Sequence, residues 1–354
     1  MKLVWTGDVS ASHSLSIMAR PVVAKLSEVY DVTIKEISGY PDNPIQDKYT
    51  KTINQLKSKP LHINPDIEVR SNYPLLSYPP DHQGKIIFWQ PWELDYIPTQ
   101  WIDCFNSYAT AVLGICPYNV EVYQKSLRGP IIDYISPPIH EVYFQDYDTK
   151  PDPTCTTILY DAGSSWRKGP DLMLGLMKRF AGHTNVKFIW KDTNIYRNNM
   201  FPEIDKLNTN CAYYLRNFTF EEMFKLYAQA DIVVYPTRAE GFGYCPAQGL
   251  VMGKNVVSPN HTGMDYLKSN NAYIVDCEAV EVNPDYILAP QYGYTFDQPV
   301  HVGEPYQDHL YAQVIQAMAG KQPKKDRDYL RKFMSGYMDE FIANKWLRFL
   351  EEII

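Results

Sequence analysis

The stretch RAEGFGYCPAQGLVMGKNVVSPNHTG, Arg238–Gly263, directly follows the apolar run ADIVVYP, Ala230–Pro236. The run reads as a buried strand. Gly241 and Gly243 then let the backbone turn sharply and let another molecule approach closely. CPAQGLVMG reads as a short helix, with Pro246 in its first turn. A strand, a glycine turn and a helix N-terminus together form an anion site, because unpaired N–H groups and the positive end of the helix dipole face the ligand. Glu240 sits in that junction, where packing needs no charge and where an acid would repel a phosphate. It therefore faces hydroxyl groups, and the combination predicts a phosphorylated, polyhydroxylated ligand.

Outward from this stretch the chain alternates strands and helices. In the second half, strands are predicted at Thr156–Gly163, Val186–Asp192, Cys211–Arg216, Ala230–Pro236 and Asn255–Pro259, with helices over Asp171–Arg179, Phe220–Gln229 and Pro246–Met252. The first half opens with a strand at Lys2–Gly7, a helical pattern through Leu15–Leu26 and a strand at Tyr30–Ser38. Further strands are predicted at Lys85–Leu94, Ala109–Ile115 and Pro130–Ser136, whereas Gly39–Gln83, rich in Pro, Asn and Lys, resists assignment. Strands alternating with helices predict α/β architecture with doubly wound parallel sheets, one per half, and such sheets bind ligands beyond the carboxyl ends of their strands. The turn-rich segment Tyr143–Thr154 reads as a linker. The expected organisation is residues 1–148, residues 149–328, and a closing pair of amphipathic helices in residues 329–354, packed back toward the first domain.

Composition narrows the function. The chain of 354 residues suits roughly two domains. A net charge of −7 argues against binding a nucleic-acid backbone. The six cysteines form no CxxC pair and the eight histidines no HxH or HExxH cluster, so thiols in a reducing compartment and no built-in metal site are expected. No apolar stretch of membrane-spanning length occurs, and the N-terminus lacks the apolar core of a signal peptide, which points to the cytoplasm. Lys48–Lys59 would offer an anionic membrane only Ile53 and Leu56 as an apolar face, so a solvated helix or loop is the better reading. No GxGxxG follows the first strand, which argues against a nicotinamide oxidoreductase.

Ala230–Leu267 resembles the donor-binding signature of the retaining GT-B glycosyltransferases of family 4, also called glycosyl transferases group 1. Ala162–Phe180 resembles that family's strand, loop, Lys-Gly and helix element, and Trp92–Gln124 with Ile135–Phe144 is similar to its N-terminal domain. The resemblance implies two Rossmann-like domains facing across a cleft, the first on the acceptor side and the second holding a nucleotide-diphosphate sugar as co-substrate, with no other cofactor and no metal. It implies transfer with retention of anomeric configuration to a glycan, lipid or protein acceptor.

The resemblance also implies site residues. Glu240 would hold the donor sugar, while Lys168 and Arg167 would neutralise the departing diphosphate. Gly163, Ser164, Gly241, Phe242, Gly243 and Thr262 would line the donor, although Thr262 and its neighbour His261 read equally well as turn residues before Gly263. Arg216 and Asn217 would lie near the base. Gln248 stands where the family has a second glutamate that accepts from ribose hydroxyls; an amide has one acceptor oxygen and adds a donor. On the acceptor side, Ser10 and His13 lie in the first loop, and an exposed Trp92 with Glu93 would offer a ring face and a carboxylate to a sugar. The altered position 248 also leaves open a nucleotide-sugar or glycan-binding protein without turnover.

Overall fold

The computed structural model describes residues 1–37, 45–148, 152–193, 200–288, 290–320 and 326–353. The predicted strand end at Ser38 and part of the linker lie outside them. The chain divides into two units. The first comprises Met1–Ile139, Pro290–Pro299 and Gly336–Ile354; the second comprises His140–Ala289 and Val300–Ser335.

The first unit runs β1 (Lys2–Gly7), α1 (Ser14–Leu26), β2 (Asp31–Glu36), α2 (Thr50–Ser58), β3 (Ile67–Ser71), β4 (Lys85–Trp89), α3 (Thr99–Tyr108), β5 (Ala111–Gly114), α4 (Pro117–Ser126) and β6 (Ile131–Tyr134). Its sheet has the order β2-β1-β3-β4-β5-β6, with neighbouring strands parallel throughout. Strands covered on both faces need continuous apolar runs, and β1, β4 and β5 supply them. β3 does not. It lies at the centre of the sheet inside the stretch that resisted assignment, because its sequence IEVRS carries Glu68 and Arg70, 4% and 1% exposed. The two are paired at 2.9 Å, Thr6 Oγ1 donates to Glu68 at 2.6 Å, and His82 approaches the same carboxylate at 3.2 Å. Ile53 and Leu56 on α2 are buried, so the apolar face weighed against a membrane is spent on packing.

The second unit runs β7 (Thr156–Asp161), α5 (Pro170–Arg179), β8 (Val186–Asp192), α6 (Phe201–Asp205), β9 (Asn210–Leu215), α7 (Phe220–Gln229), β10 (Ile232–Val234), α8 (Tyr244–Val251), β11 (Asn255–Ser258), β12 (Tyr273–Ile274), the antiparallel pair β13 (Cys277–Val282) and β14 (Val300–Pro305), α9 (Gln307–Met318) and α10 (Arg327–Met334). Its sheet has the order β12-β11-β10-β7-β8-β9, again parallel throughout. The start of α7 is written in the sequence: Thr219 and Glu222 form a reciprocal capping box. Among the described residues no helix is long and apolar enough to cross a membrane.

The division falls at Ile139, ahead of the segment read as a linker. Residues 140–147 are already fixed to the second unit: His140 stacks on Phe220, Tyr143 is buried edge-on against Tyr227, and Tyr147 donates to the Met252 carbonyl at 2.6 Å. The closing helices also part company. α10 stays with the second unit, where Arg327 and Arg331 donate to the Gln145 carbonyl. α11 (Asp339–Ile353) returns to the first, where Trp346 packs against Trp5 and Trp89.

Candidate functional site

Three loops at the carboxyl ends of β7, β10 and β11 bring the central residues together. After β10, the segment Tyr235–Gly243 carries Glu240, which is 5% exposed. Its Oε1 receives the Lys168 ammonium, the Arg167 guanidinium at 3.2 Å, the Tyr235 hydroxyl at 2.7 Å and the Thr237 hydroxyl at 3.4 Å. Burial pushes the Glu240 carboxyl up, but the charges of Lys168 and Arg167 outweigh it and hold the group below the usual carboxylate range. Burial and the neighbouring Glu240 charge push the Tyr235 hydroxyl well up, so it remains a donor.

The loops are locked by backbone contacts that leave no room for side chains. Gly169, with φ 72°, follows the turn Trp166–Lys168, and a β-carbon there would lie 2.1 Å from the Pro236 carbonyl oxygen. A β-carbon on Gly263 would lie 1.9 Å from the Gly241 oxygen, and the Gly263 N–H donates to the Glu240 carbonyl at 2.8 Å. Between them Thr262 takes φ 55°, a left-handed conformation that strains a β-branched residue by about 1–3 kcal/mol. Its hydroxyl accepts the Glu240 N–H at 3.0 Å and donates to the His261 carbonyl at 2.7 Å. Gly243, with φ 78°, begins α8, and the Phe242 ring is buried against Tyr244 and Tyr266. Gln248 sits one turn into α8, half-buried, and its amide makes no hydrogen bond among the described residues.

Of the other sequence candidates, Gly163 and Ser164 share the loop after β7 with Lys168, Arg216 and Asn217 follow β9, and the rest lie in the first unit. Gly163 is half-buried beside Ser164, whose hydroxyl and N–H both donate to Asp192. Burial raises the Asp192 carboxyl against the opposing bonds from Ser164 and Thr193. Arg216 is exposed, paired with Glu222 at 2.9 Å, stacked over Phe218 and donating to the Asn217 carbonyl. In the first unit His13 is the N-cap of α1: its Nδ1 accepts from Ser16 N and its Nε2 meets Asp8 at 2.9 Å. The Ser10 hydroxyl accepts from Lys57 at 2.9 Å, and Glu93 is half-buried. Trp92 corrects the expectation of an exposed ring. It is fully buried, 4.5 Å from Trp101 and stacked on Phe296, with its indole N–H donating to the Tyr96 carbonyl, so no face is left for a sugar. Asp192, Tyr235 and Thr237 escaped the sequence reading; the acid ending the apolar strand VKFIWKD was the one available signal.

Residues 162–283 match the family model described as Glycosyl transferases group 1, a span that contains Glu240, Lys168, Arg167 and the three loops. No curated protein matches the chain. The sucrose-phosphate synthase of Thermosynechococcus elongatus is similar in structure with a TM-score of 0.72 at 11% identity, over 100% of this chain and 99% of that one. The glycosyltransferase of Rickettsia africae ESF-5 gives a TM-score of 0.70 at 13% identity, over 99% and 98%. The chain has the GT-B fold. Anabaena HepE, solved with UDP and glucose, shares it with a TM-score of 0.68 at 10% identity, over 99% and 100%. In this GT-B chain the Glu240 cluster lies at the carboxyl ends of the second unit's strands, where open parallel sheets bind ligands.

Proposed function

We propose that the chain is a glycosyltransferase that moves a sugar from a nucleoside-diphosphate donor to a hydroxyl of a glycan, lipid or protein, with retention of configuration and in the cytoplasm. One observation carries the reading: two cations share one buried carboxylate at the end of a parallel sheet, leaving a net positive charge of one. A donor diphosphate entering there competes for Lys168 and Arg167, and Glu240, so relieved, turns to the sugar hydroxyls. In the reaction the bond from the anomeric carbon to phosphate breaks, and the electron pair leaves with the nucleoside diphosphate. The acceptor oxygen bonds to the same face, and its proton passes to the leaving phosphate. Lys168 and Arg167 carry the charge compensation that a divalent cation would otherwise supply, so neither metal nor further cofactor enters the scheme. The cysteines are thiols, which supports a reducing compartment.

Lys168→Ala tests this. Removing one preorganised charge from the leaving group should lower transfer about a hundredfold to a thousandfold, with the protein still folded. Transfer near the wild-type rate overturns the assignment. Gln248, standing where the family has its second glutamate, supports a second reading, a nucleotide-sugar or glycan-binding protein without turnover. Nucleotide-sugar binding with no free nucleotide released from any donor would favour it.

A further inference from the structure

Beside the Glu240 cluster lies a third cation, whose ion pairs are with other carboxylates. Arg238 is 2% exposed and lies over the Trp166 ring at 4.2 Å. An arginine has five N–H donors in a rigid planar fork, and here all five are taken. Nη1 donates to the Trp166 carbonyl at 2.7 Å and to Asp171 at 2.8 Å. Nη2 donates to Asp171 and to Glu304, each at 2.7 Å, and Nε completes the Glu304 pair. Its backbone N–H donates to the Arg167 carbonyl at 2.7 Å, and its carbonyl accepts from Gly303 N and His261 Nε2.

The turn that presents Arg167 and Lys168 is thus gripped by one residue at two successive carbonyls, those of Trp166 and Arg167. The same residue fixes the loop holding Thr262, through His261, and the β13–β14 pair, through Glu304 and Gly303. Two carboxylates absorb its charge, so it adds little to the field at Glu240. To reach a phosphate it would have to abandon both bidentate pairs, which excludes it as a third phosphate ligand. Its effect has to be geometric.

We propose that Arg238 is the positioning residue of this site: it sets Lys168 and Arg167 on Glu240, and through them determines affinity for a nucleoside diphosphate. The ligand class rests on the function proposed above; the positioning does not. Arg238→Lys keeps the charge, but a single ammonium cannot span both carboxylates and the Trp166 carbonyl.

The experiment has two arms. In the ligand-free protein, acetylation by acetic anhydride, read by mass spectrometry, should modify Lys168 about tenfold faster in Arg238→Lys. Lys191, buried and paired with Asp161 at 3.4 Å, should react as before, whereas general loosening would speed both. In calorimetric titrations of UDP, GDP and ADP, Arg238→Lys should weaken the nucleotide that binds about tenfold, and should cost clearly less than that once Lys168→Ala is present, because only the share carried by Arg167 remains. Unchanged Lys168 acetylation, or losses that add in full in the double variant, overturns the proposal. If no nucleotide binds the wild-type chain, the donor reading fails and acetylation alone decides the positioning. Should Arg238→Lys not fold, Asp171→Asn, which removes one arm of the grip, is read by the same two arms.

Discussion

Each unit buries a carboxylate against a cation, and the two pairs are built in opposite ways. Glu68 and Arg70 stand two residues apart on one face of a central strand. Arg70 lies over the rings of Tyr78 and Phe88 and donates to the carbonyls of Leu76 and Tyr78, so its guanidinium is held inside the unit's core. Glu240 and Lys168 stand 72 residues apart on two loops, at 5% exposure for the acid and 17% for the lysine side chain. A pair carried on one strand is fixed by the sheet and serves the core. A pair assembled from two strand ends must be held by its loops, and the chain spends glycines, a strained threonine and a saturated arginine to hold it. The cost of assembly supports the proposal that the second pair is the one that meets a ligand.

The sharpest way to break this contrast is to break both pairs. Arg70→Met leaves Glu68 buried without its cation and should cost about 3–5 kcal/mol of stability by chemical denaturation. The affinity of the folded fraction for nucleotide should stay unchanged. Lys168→Ala should do the reverse, removing transfer while leaving the denaturation midpoint close to wild type, because Glu240 keeps Arg167, Tyr235 and Thr237. A comparable stability loss from both variants would erase the distinction.

A smaller effect concerns pH. Asp8 accepts from Ser10 N, Ala11 N, Ser16 Oγ and His13. Burial pushes its carboxyl up, but these bonds outweigh burial and hold it down at about 2. A carboxyl whose folded value is depressed stabilises the fold above its unfolded value and loses that contribution as pH falls through the folded one. Asp8 should therefore contribute about 1–2 kcal/mol above pH ~4 that disappears by pH ~2. Stability curves of Asp8→Asn and wild type should converge over that interval; parallel curves would show that Asp8 is not held this way.

The smallest effect belongs to Gln248. A carboxylate accepts from two hydroxyls with charge assistance, which strengthens such bonds. Gln248→Glu should keep the fold and tighten nucleotide binding by about 1 kcal/mol, or roughly five- to tenfold in calorimetric titration. Equal or weaker binding would mean that position 248 does not face the ribose.

How much of this could be read from the chain followed from where the information sits. Five of the second sheet's six strands were legible as apolar-rich runs, and its site follows one of them directly through paired glycines, whereas the two-residue β12 is too short to carry a pattern. β3 was hidden by Glu68 and Arg70, whose mutual neutralisation cannot be seen in a linear sequence. Trp92 was misread because the residues that cover it come from elsewhere: Trp101 from the next helix, and Phe296 from a short segment far along the chain. The boundary was misplaced because turn-rich composition marks exposed backbone, whereas Tyr143 and Tyr147 anchor part of that stretch by their rings. The loop contacts at Gly169 and Gly263 were legible as glycines, but not as places where one backbone rests on another.

The return of α11 to the first unit bears on how the polypeptide is made. Trp5 and Trp89 lie in strands that leave the ribosome early, while Trp346, which packs against both, is synthesised after the whole second unit. A nascent chain ending near Ile139 therefore presents an uncovered indole face and lacks Pro290–Pro299 as well. The second unit, though later in synthesis, can close before the first is complete. Translation order and completion order are inverted in this molecule, and expressing residues 1–139 alone should give a sticky fragment and not a domain.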